Sequence, residues 1–376
     1  MTTSPLNNFL TLSRANPDGL APFSVPLASG GRIEVWDSGV LCVEPASAVK
    51  KDEAKNDTAN KDIVISCGIH GNETAPIEMC ERLLAEIVSG RLVSAQRLLL
   101  IFGNLEAMNL AVREVEDNLN RLFCGQHGQK IEVDGADINR AVVNKSVANK
   151  AVINKPAANK ERERAAKLEH YMARFYHARS GAKRLHYDLH TAIRPSKYEQ
   201  FAVYPYMASH TYSRDLLAFL AAADINTLLL SNAPAPTFSC FSAQQFGAQS
   251  LTIELGKVMP FGQNEVGRLD RLQQCLSAEL SEPSWQPPLL ALTDLRVFQV
   301  CQEITKHSTQ FCFHFSDDVA NFSPFSPDTL LATDGDRQWR VAEQDEAVVF
   351  PNAQVALGHR AALMAVATEL TDKMLC

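Results

Sequence analysis

Short apolar runs and longer stretches with apolar residues at three- and four-residue spacing take turns along the first three quarters of the chain. Ile63-Val64-Ile65, within 62–67, and Leu98 to Phe102 are continuous runs of strand length, read as buried strands. Between them Ile77, Cys80, Leu83, Leu84, Ile87 and Val88 share one face of a helix over 76–88, with Pro76 in the first turn, where its missing N–H is harmless. Strand, helix, strand in this order predicts an α/β fold with a mixed, mostly parallel central sheet flanked by helices. Upstream, Ile33–Trp36 and Val40–Val43 predict a hairpin within residues 24–50, and 51–61 is a polar loop. Downstream, helices are expected over 161–178, 213–223 and from 265 to about 280, with strands at 184–191, 228–230 and 250–256. In the strand at 184–191, His186, Asp188 and His190 face one side and Leu185, Tyr187 and Leu189 the other.

Pro283, Pro287 and Pro288 interrupt the pattern. Beyond them short alternating segments at 294–304, 311–315, 338–342 and 347–350 predict a smaller β-rich region, closed by a helix from about 354 to 370. The chain therefore divides into a first domain over 1–288 and a β-rich second domain over 289–376. One stretch fits neither period. Asn144-Lys145, Asn149-Lys150, Asn154-Lys155 and Asn159-Lys160 recur every five residues, the mark of a low-complexity insertion spanning about 131–160 and expected to be an exposed loop.

The 376 residues, 46% hydrophobic and 21% charged, are those of an ordinary globular protein. No run of eighteen apolar residues occurs, so no membrane span is expected, and the N-terminus lacks the basic start and apolar core of a secretory signal. Nine cysteines without a C-x-x-C pairing point to small core residues in a reducing cytoplasm rather than to a disulfide framework. A net charge of −7 argues against nucleic acid as a partner, and it requires any anionic substrate to find a locally positive site. No feature of the sequence specifies an oligomeric state.

The densest chemistry follows the strand at 62–67. Gly68-Ile69-His70-Gly71-Asn72-Glu73 places an imidazole and a carboxylate three residues apart on a glycine-containing loop that can curl both toward one ion. Zinc accepts this ligand mix, and a catalytic zinc takes three protein ligands and keeps a position for water. His190 is the better-placed third ligand, at the end of its strand, and His186 on the same face is the competitor. Glu254, a carboxylate among apolar neighbours in Thr252-Ile253-Glu254-Leu255-Gly256, is the candidate base for the attacking water. Arg113, Arg121 and Arg194 flank these pieces, and Asn120-Arg121 forms an amide–guanidinium clamp suited to a carboxylate. Taken singly, His-x-x-Glu is common, and each arginine is explained as well by an exposed surface position.

Taken together, Gly68–Glu78, Asn120–Phe123, Asp188–Arg194 and Thr252–Lys257 resemble the succinylglutamate desuccinylase/aspartoacylase branch of the zinc-carboxypeptidase-like hydrolases. The resemblance continues through 260–264, 304–307, 321–325 and 350–352, and so covers the chain outside the insertion. Its Thr191-Ala192-Ile193-Arg194 tail is similar to the desuccinylases rather than the aspartoacylases. The resemblance implies a zinc-carboxypeptidase-like fold, one Zn2+ held by His70, Glu73 and His190, and Glu254 as general base and acid. It implies that Arg113 polarises the scissile carbonyl and that Asn120 and Arg121 hold the glutamate α-carboxylate. Arg194 is expected to read the succinyl carboxylate, with Lys257 as a weaker cation. The implied reaction is hydrolysis of N-succinyl-L-glutamate to succinate and L-glutamate, the last step of arginine catabolism by the succinyltransferase route. The appended β region is expected to close over the site and exclude peptides.

Two departures stand out. Asn118 occupies a position that is usually Asp in the family, and Asp137-Ile138-Asn139-Arg140 imitates the family's Asp-x-Asn-Arg motif. Asn120-Arg121 is preferred, because Leu122-Phe123 and Gly125 follow it as in the family pattern and Arg113 lies seven residues upstream. The alternatives are a related N-acyl-amino-acid deacylase or carboxypeptidase, and, from a different class, a zinc-binding protein without catalysis. The presence of Glu254 speaks against the last.

Overall fold

The computed structural model describes residues 5–46, 60–128, 159–265, 267–342 and 344–376. The Asn-Lys repeat up to its last pair, the 137–140 imitation motif and most of the polar loop at 51–61 lie outside them, and that last pair, Asn159-Lys160, caps and opens a helix. The chain opens with α1 (Phe9–Ala15) and a meander of β1 (Phe23–Pro26), β2 (Arg32–Asp37) and β3 (Val40–Glu44), one strand more than the expected hairpin. Next come β4 (Lys61–Cys67), α2 (Thr74–Val88), β5 (Arg97–Phe102), α3 (Leu105–Leu110), α4 (Lys160–His177), β6 (Lys183–Ala192) and β7 (Gln200–Tyr204). They are followed by α5 (Arg214–Ala222), β8 (Thr227–Leu230), α6 (Phe238–Phe246), β9 (Gln249–Lys257) and α7 (Asp270–Ser281). The last of these begins five residues later than the periodicity predicts. The remainder is β: β10 (Arg296–Thr305), β11 (Cys312–Phe313), β12 (Ser323–Phe325), β13 (Leu330–Asp334), β14 (Arg337–Arg340), β15 (Glu346–Val349) and β16 (Arg360–Thr368).

One 13-stranded sheet runs through the molecule in the order β1-β2-β3-β5-β4-β6-β9-β7-β8-β10-β16-β15-β12, and β11, β13 and β14 form a small second sheet. Its centre is parallel, with β5, β4, β6 and β9 side by side; β7 runs antiparallel to β9 but parallel with β8 and β10, and the outermost strands on both sides pair antiparallel. The central strands are buried on both faces, as their continuous apolar runs require. On one face Ile63, Ile65, Leu185, Tyr187 and Leu251 join the core under α2, α5 and α7, and on the other Val64 and Leu99 join a core under α4 and α6.

The expected helix at 354–370 is a strand instead. Arg360-Ala-Ala-Leu-Met-Ala-Val-Ala-Thr368 is rich in helix formers, yet β16 lies between β10 and β15, and Ala361 to Ala365 are buried. Two ladders of hydrogen bonds and burial override a local preference worth only tenths of a kcal/mol per residue (roughly 0–0.7). The small alanines let neighbouring layers approach closely. The register also joins the two halves of the chain, because β10 pairs in parallel with β8 and the sheet is continuous across the proline-rich break.

Candidate active site and metal centre

The carboxyl ends of β4, β6 and β9 gather the candidate residues at one edge of the sheet, where open α/β sheets build their sites. The loop after β4 is shaped by its glycines. Gly68 has φ +63°, and a Cβ there would lie 2.1 Å from Met108 Cε, while a Cβ on Gly71 would lie 2.2 Å from the Ala107 backbone. No larger residue fits either position, and the loop is thereby pressed against α3 with His70 and Glu73 turned inward. Gly71 N–H donates to the Arg113 carbonyl at 3.0 Å, which ties the same loop to the arginine segment.

His70, Glu73 and His190 are all buried, and one ligand atom from each lies within 4.8 Å of the others. Glu73 stands between the two rings. Its Oε1 is 2.8 Å from His70 Nδ1 and its Oε2 is 2.9 Å from His190 Nδ1. The far nitrogens are committed elsewhere. His70 Nε2 is 3.0 Å from Asn118 Oδ1, an oxygen that also accepts from Asn120 N–H, so the ring must donate there. His190 Nε2 likewise donates to Asp188 Oδ2 at 3.0 Å. With each ring neutral, both Nδ1 atoms present their lone pairs to the same point as a buried carboxylate. This nitrogen–oxygen donor set fits a zinc ion, and its outer partners fix the tautomers. The role of Asn118 follows, since its amide oxygen takes the orienting contact where the family usually places Asp.

The electrostatics agree for Glu73 and His70, while at His190 burial is outweighed by Asp188 and Glu73, which raise the ring well above its ordinary value, so it must give up its Nδ1 proton when it binds a metal. Burial opposes ionisation of Glu73, but His70 and His190 outweigh it and hold the carboxyl well below its ordinary range. Burial, with the charge of Arg113, lowers His70 to about 4 and keeps the imidazole neutral, as a metal ligand must be.

Glu254 sits on β9 directly opposite His190 in the ladder, and burial raises its pKa to about 7, opposed by His190 and reinforced by Glu73. Its Oε2 is buried with no hydrogen-bond partner among the described residues. A carboxyl group so poised exchanges protons near neutral pH.

The cations divide into two groups. Arg113 Nη1 donates to Glu73 Oε1 at 2.7 Å, with about a third of its side chain exposed. Arg121 Nη1 donates to the Asn120 carbonyl at 2.8 Å and has no carboxylate within ion-pair distance among the described residues. Burial, then the charges of Arg360 and Arg113, pull Arg121 down to about 9. Asn120 Oδ1 accepts from Phe238 N–H at the start of α6, which leaves its amide N–H groups for another acceptor. Arg194 is half-buried but turned toward the last region, donating from Nε to the Pro351 carbonyl at 3.1 Å. Lys257 ends β9 with its side chain exposed and without an ion pair among the described residues.

Two contributors were not assigned a role from sequence. Asp188 carried a signal, two residues before His190 on the same strand face. Arg360 carried none: it opens β16, in the stretch that reads as helix, and has neither hydrogen bond nor ion pair among the described residues. It is half-buried and close enough for its charge to act on Arg121.

An α/β sheet with a His-Glu-His cluster and a free buried carboxylate at its carboxyl edge defines the class: hydrolases built to hold a metal. Residues 59–150 and 131–280 match the succinylglutamate desuccinylase/aspartoacylase catalytic domain, and 293–368 match the AstE/AspA barrel-sandwich hybrid domain. The chain is 40% identical over 362 residues to the succinylglutamate desuccinylase of Shewanella denitrificans, covering 96% of this chain and 95% of that one. It is 40% identical over 363 residues to that of Idiomarina loihiensis, covering 96% of each. A solved succinylglutamate desuccinylase from Vibrio parahaemolyticus superposes with a TM-score of 0.77 at 34% identity, covering 96% of this chain and 95% of that one. The chain belongs to the succinylglutamate desuccinylase/aspartoacylase family, and it is a hydrolase.

Proposed function

We propose that this enzyme hydrolyses the amide of N-succinyl-L-glutamate to succinate and L-glutamate, with one zinc ion held by His70, Glu73 and His190. The observation that carries this reading is the pairing of a free, buried Glu254 carboxyl, raised to about 7, with that donor set. When bound, zinc supplies Lewis acidity that polarises the carbonyl and makes water nucleophilic near neutral pH. Glu254 takes a proton from the attacking water and returns it to the amide nitrogen as the C–N bond breaks. Arg113, held on Glu73 by one nitrogen, has the rest of its fork available to stabilise the oxyanion.

The acyl and amino-acid parts of this substrate carry three carboxylates between them. The group of Arg113, Arg121 and Arg360 meets that demand within a protein of net charge −7, because Arg121 and Arg360 lack carboxylate partners among the described residues. Asn120 and Arg121 take the glutamate α-carboxylate, and Arg360 takes a second carboxylate from the C-terminal side. Arg194 is anchored through Nε on the Pro351 carbonyl, which latches the loop after β6 to the 350–352 turn and leaves its Nη groups to read the succinyl carboxylate. Lys257 remains an outer cation. Closure of the β-rich region over the site is supported by the same latch and by Asn321, which accepts from Lys197 N–H, donates to the Pro195 carbonyl and receives Phe350 N–H.

No helix among the described residues is long and apolar enough to cross a membrane, and all nine cysteines are unpaired, which supports a reducing cytoplasmic setting. The test is release of glutamate from N-succinylglutamate before and after chelation and zinc re-addition, beside N-acetylglutamate and N-acetylaspartate. Zinc-restored turnover of the succinyl compound alone is expected. Preference for an acetyl substrate would replace the acyl specificity, and zinc binding without turnover of any would overturn catalysis itself.

A further inference from the structure

His186, the rejected candidate ligand, lies inside the sheet with no exposure, joined to the metal centre by an unbroken line of hydrogen bonds. His190 Nε2 meets Asp188 Oδ2 at 3.0 Å, and Asp188 Oδ1 accepts from Ser66 Oγ at 2.6 Å. Ser66 Oγ is 2.8 Å from His186 Nε2, and His186 Nδ1 is 2.8 Å from Ser242 Oγ on α6. Ser66 and Asp188 are register partners on β4 and β6, so the sheet itself fixes their spacing.

Counting hydrogens gives the line a direction. A carboxylate only accepts, so Ser66 gives its single hydrogen to Asp188 and must accept from His186 Nε2–H. Burial lowers His186 to about 4, so the ring is neutral and has one N–H. Its Nδ1 then accepts from Ser242. Ser242 Oγ also lies 3.0 Å from the Ser239 carbonyl, which receives Ser250 Oγ at 2.7 Å, and the shorter 2.8 Å contact to Nδ1 is the one that completes the line. Every donor thus points toward Asp188, and from there the carboxylate faces His190. Phe238 packs edge-on against the His186 ring at 4.9 Å and holds it in plane with this line. Apolar side chains would fill the space under α6 without the desolvation cost of an imidazole and two hydroxyls.

We infer that His186 is a positioning residue: through Ser66 it fixes the Asp188 carboxylate, and so orients His190 with Nδ1 toward the metal position. The inference rests on the ligand set proposed above and concerns zinc affinity rather than substrate. Outer partners of metal-bound histidines change affinity by about 10–100-fold, and one link further out the expected loss is about tenfold.

The experiment measures the zinc dissociation constant of the full chain by competition with a chromophoric chelator, alongside thermal unfolding of the metal-free protein. His186→Leu and Ser66→Ala should each weaken zinc binding about tenfold. The double variant should be no weaker than Ser66→Ala alone, because both cut the same line. His186→Gln, whose amide N–H can stand where Nε2–H stood, should restore most of the affinity. A purely structural His186 would lower the unfolding temperature and leave zinc affinity unchanged in the folded variants. That result for Ser66→Ala, which removes one oxygen and keeps the ring, would overturn the inference even if His186→Leu failed to fold. Failure of wild-type protein to bind zinc would overturn the proposed ligand set instead.

Discussion

The two ends of the central parallel strands bury charge in opposite ways. At the amino end, a cavity of about 320 Å3 is bordered by Lys61, Lys183, Gln249 and Glu279. Yet its charges answer one another: Lys61 pairs with Glu279 at 3.2 Å, Tyr187 donates to Glu279 at 2.6 Å, Lys183 pairs with Asp215 at 2.7 Å, and Ser213 donates to Gln249 at 2.9 Å. At the carboxyl end, among the described residues, Glu254 keeps a buried oxygen without a hydrogen-bond partner and Arg121 and Arg360 stand near each other without an ion-paired carboxylate. A buried charge left unmatched costs stability, and a fold tolerates it where a ligand will complete the set. Unmet polarity separates the proposed working end from the structural one.

The contrast can be broken from either side. The largest effect is expected for Glu254→Gln, which should lower kcat by about three orders of magnitude, within the general-base range, while leaving zinc stoichiometry and unfolding temperature near wild type. Glu279→Leu at the opposite end should do the reverse. Removing one partner of a buried pair costs about 3 kcal/mol, visible in denaturant unfolding, with kcat within twofold of wild type. Arg121→Gln should raise KM and lower kcat/KM by about 30-fold, a lost charge-assisted contact of roughly 2 kcal/mol, and the metal-free protein should become slightly more stable as repulsion from Arg360 is relieved. An unchanged KM would remove Arg121 from the substrate site.

The pH dependence sharpens the same point. In the proposed mechanism Glu254 works as a carboxylate, and a raised pKa keeps its proton on until the pH passes about 7, so kcat/KM should fall as the solution is acidified. A bound dication favours the carboxylate form, placing this limb at or below about 7 in the zinc-loaded enzyme. A limb above that value would contradict the assignment. The smallest effect is expected for Asn118→Asp. A carboxylate acceptor makes His70 more basic, and zinc affinity measured by chelator competition should rise by several-fold, up to about ten.

Much of this site was legible because strand and loop periodicity place side chains reliably. His70 and Glu73 follow an apolar run into a loop with two glycines, His190 closes a strand face, and Glu254 interrupts an apolar strand, so each could be put at one sheet edge from its spacing. What could not be read depends on contacts far apart in sequence. Arg360 reaches Arg121 only because β16 pairs with β10 and β15, and its alanine-rich surroundings imitate a helix. The anchoring of Arg194 Nε on the Pro351 carbonyl, 157 residues away, is likewise beyond local pattern. The contribution of Asn118 is equally nonlocal, since an amide substitutes for a carboxylate only where a backbone N–H fixes which way it points.

The continuity of the large sheet carries a consequence for how this chain comes to exist in a cell. Thr227 to Leu230 are fully buried with β10 on one side, and that strand is made only after residue 295 leaves the ribosome. Until then β8 is an apolar open edge, ready to pair with any other extended chain. A chain ended at 288 should therefore precipitate rather than yield a smaller working enzyme, and adding 289–376 as a separate polypeptide should rescue it only if supplied during synthesis. The C-terminal strands thus cover an edge that would otherwise be open to aggregation, a role separate from any they play toward the substrate.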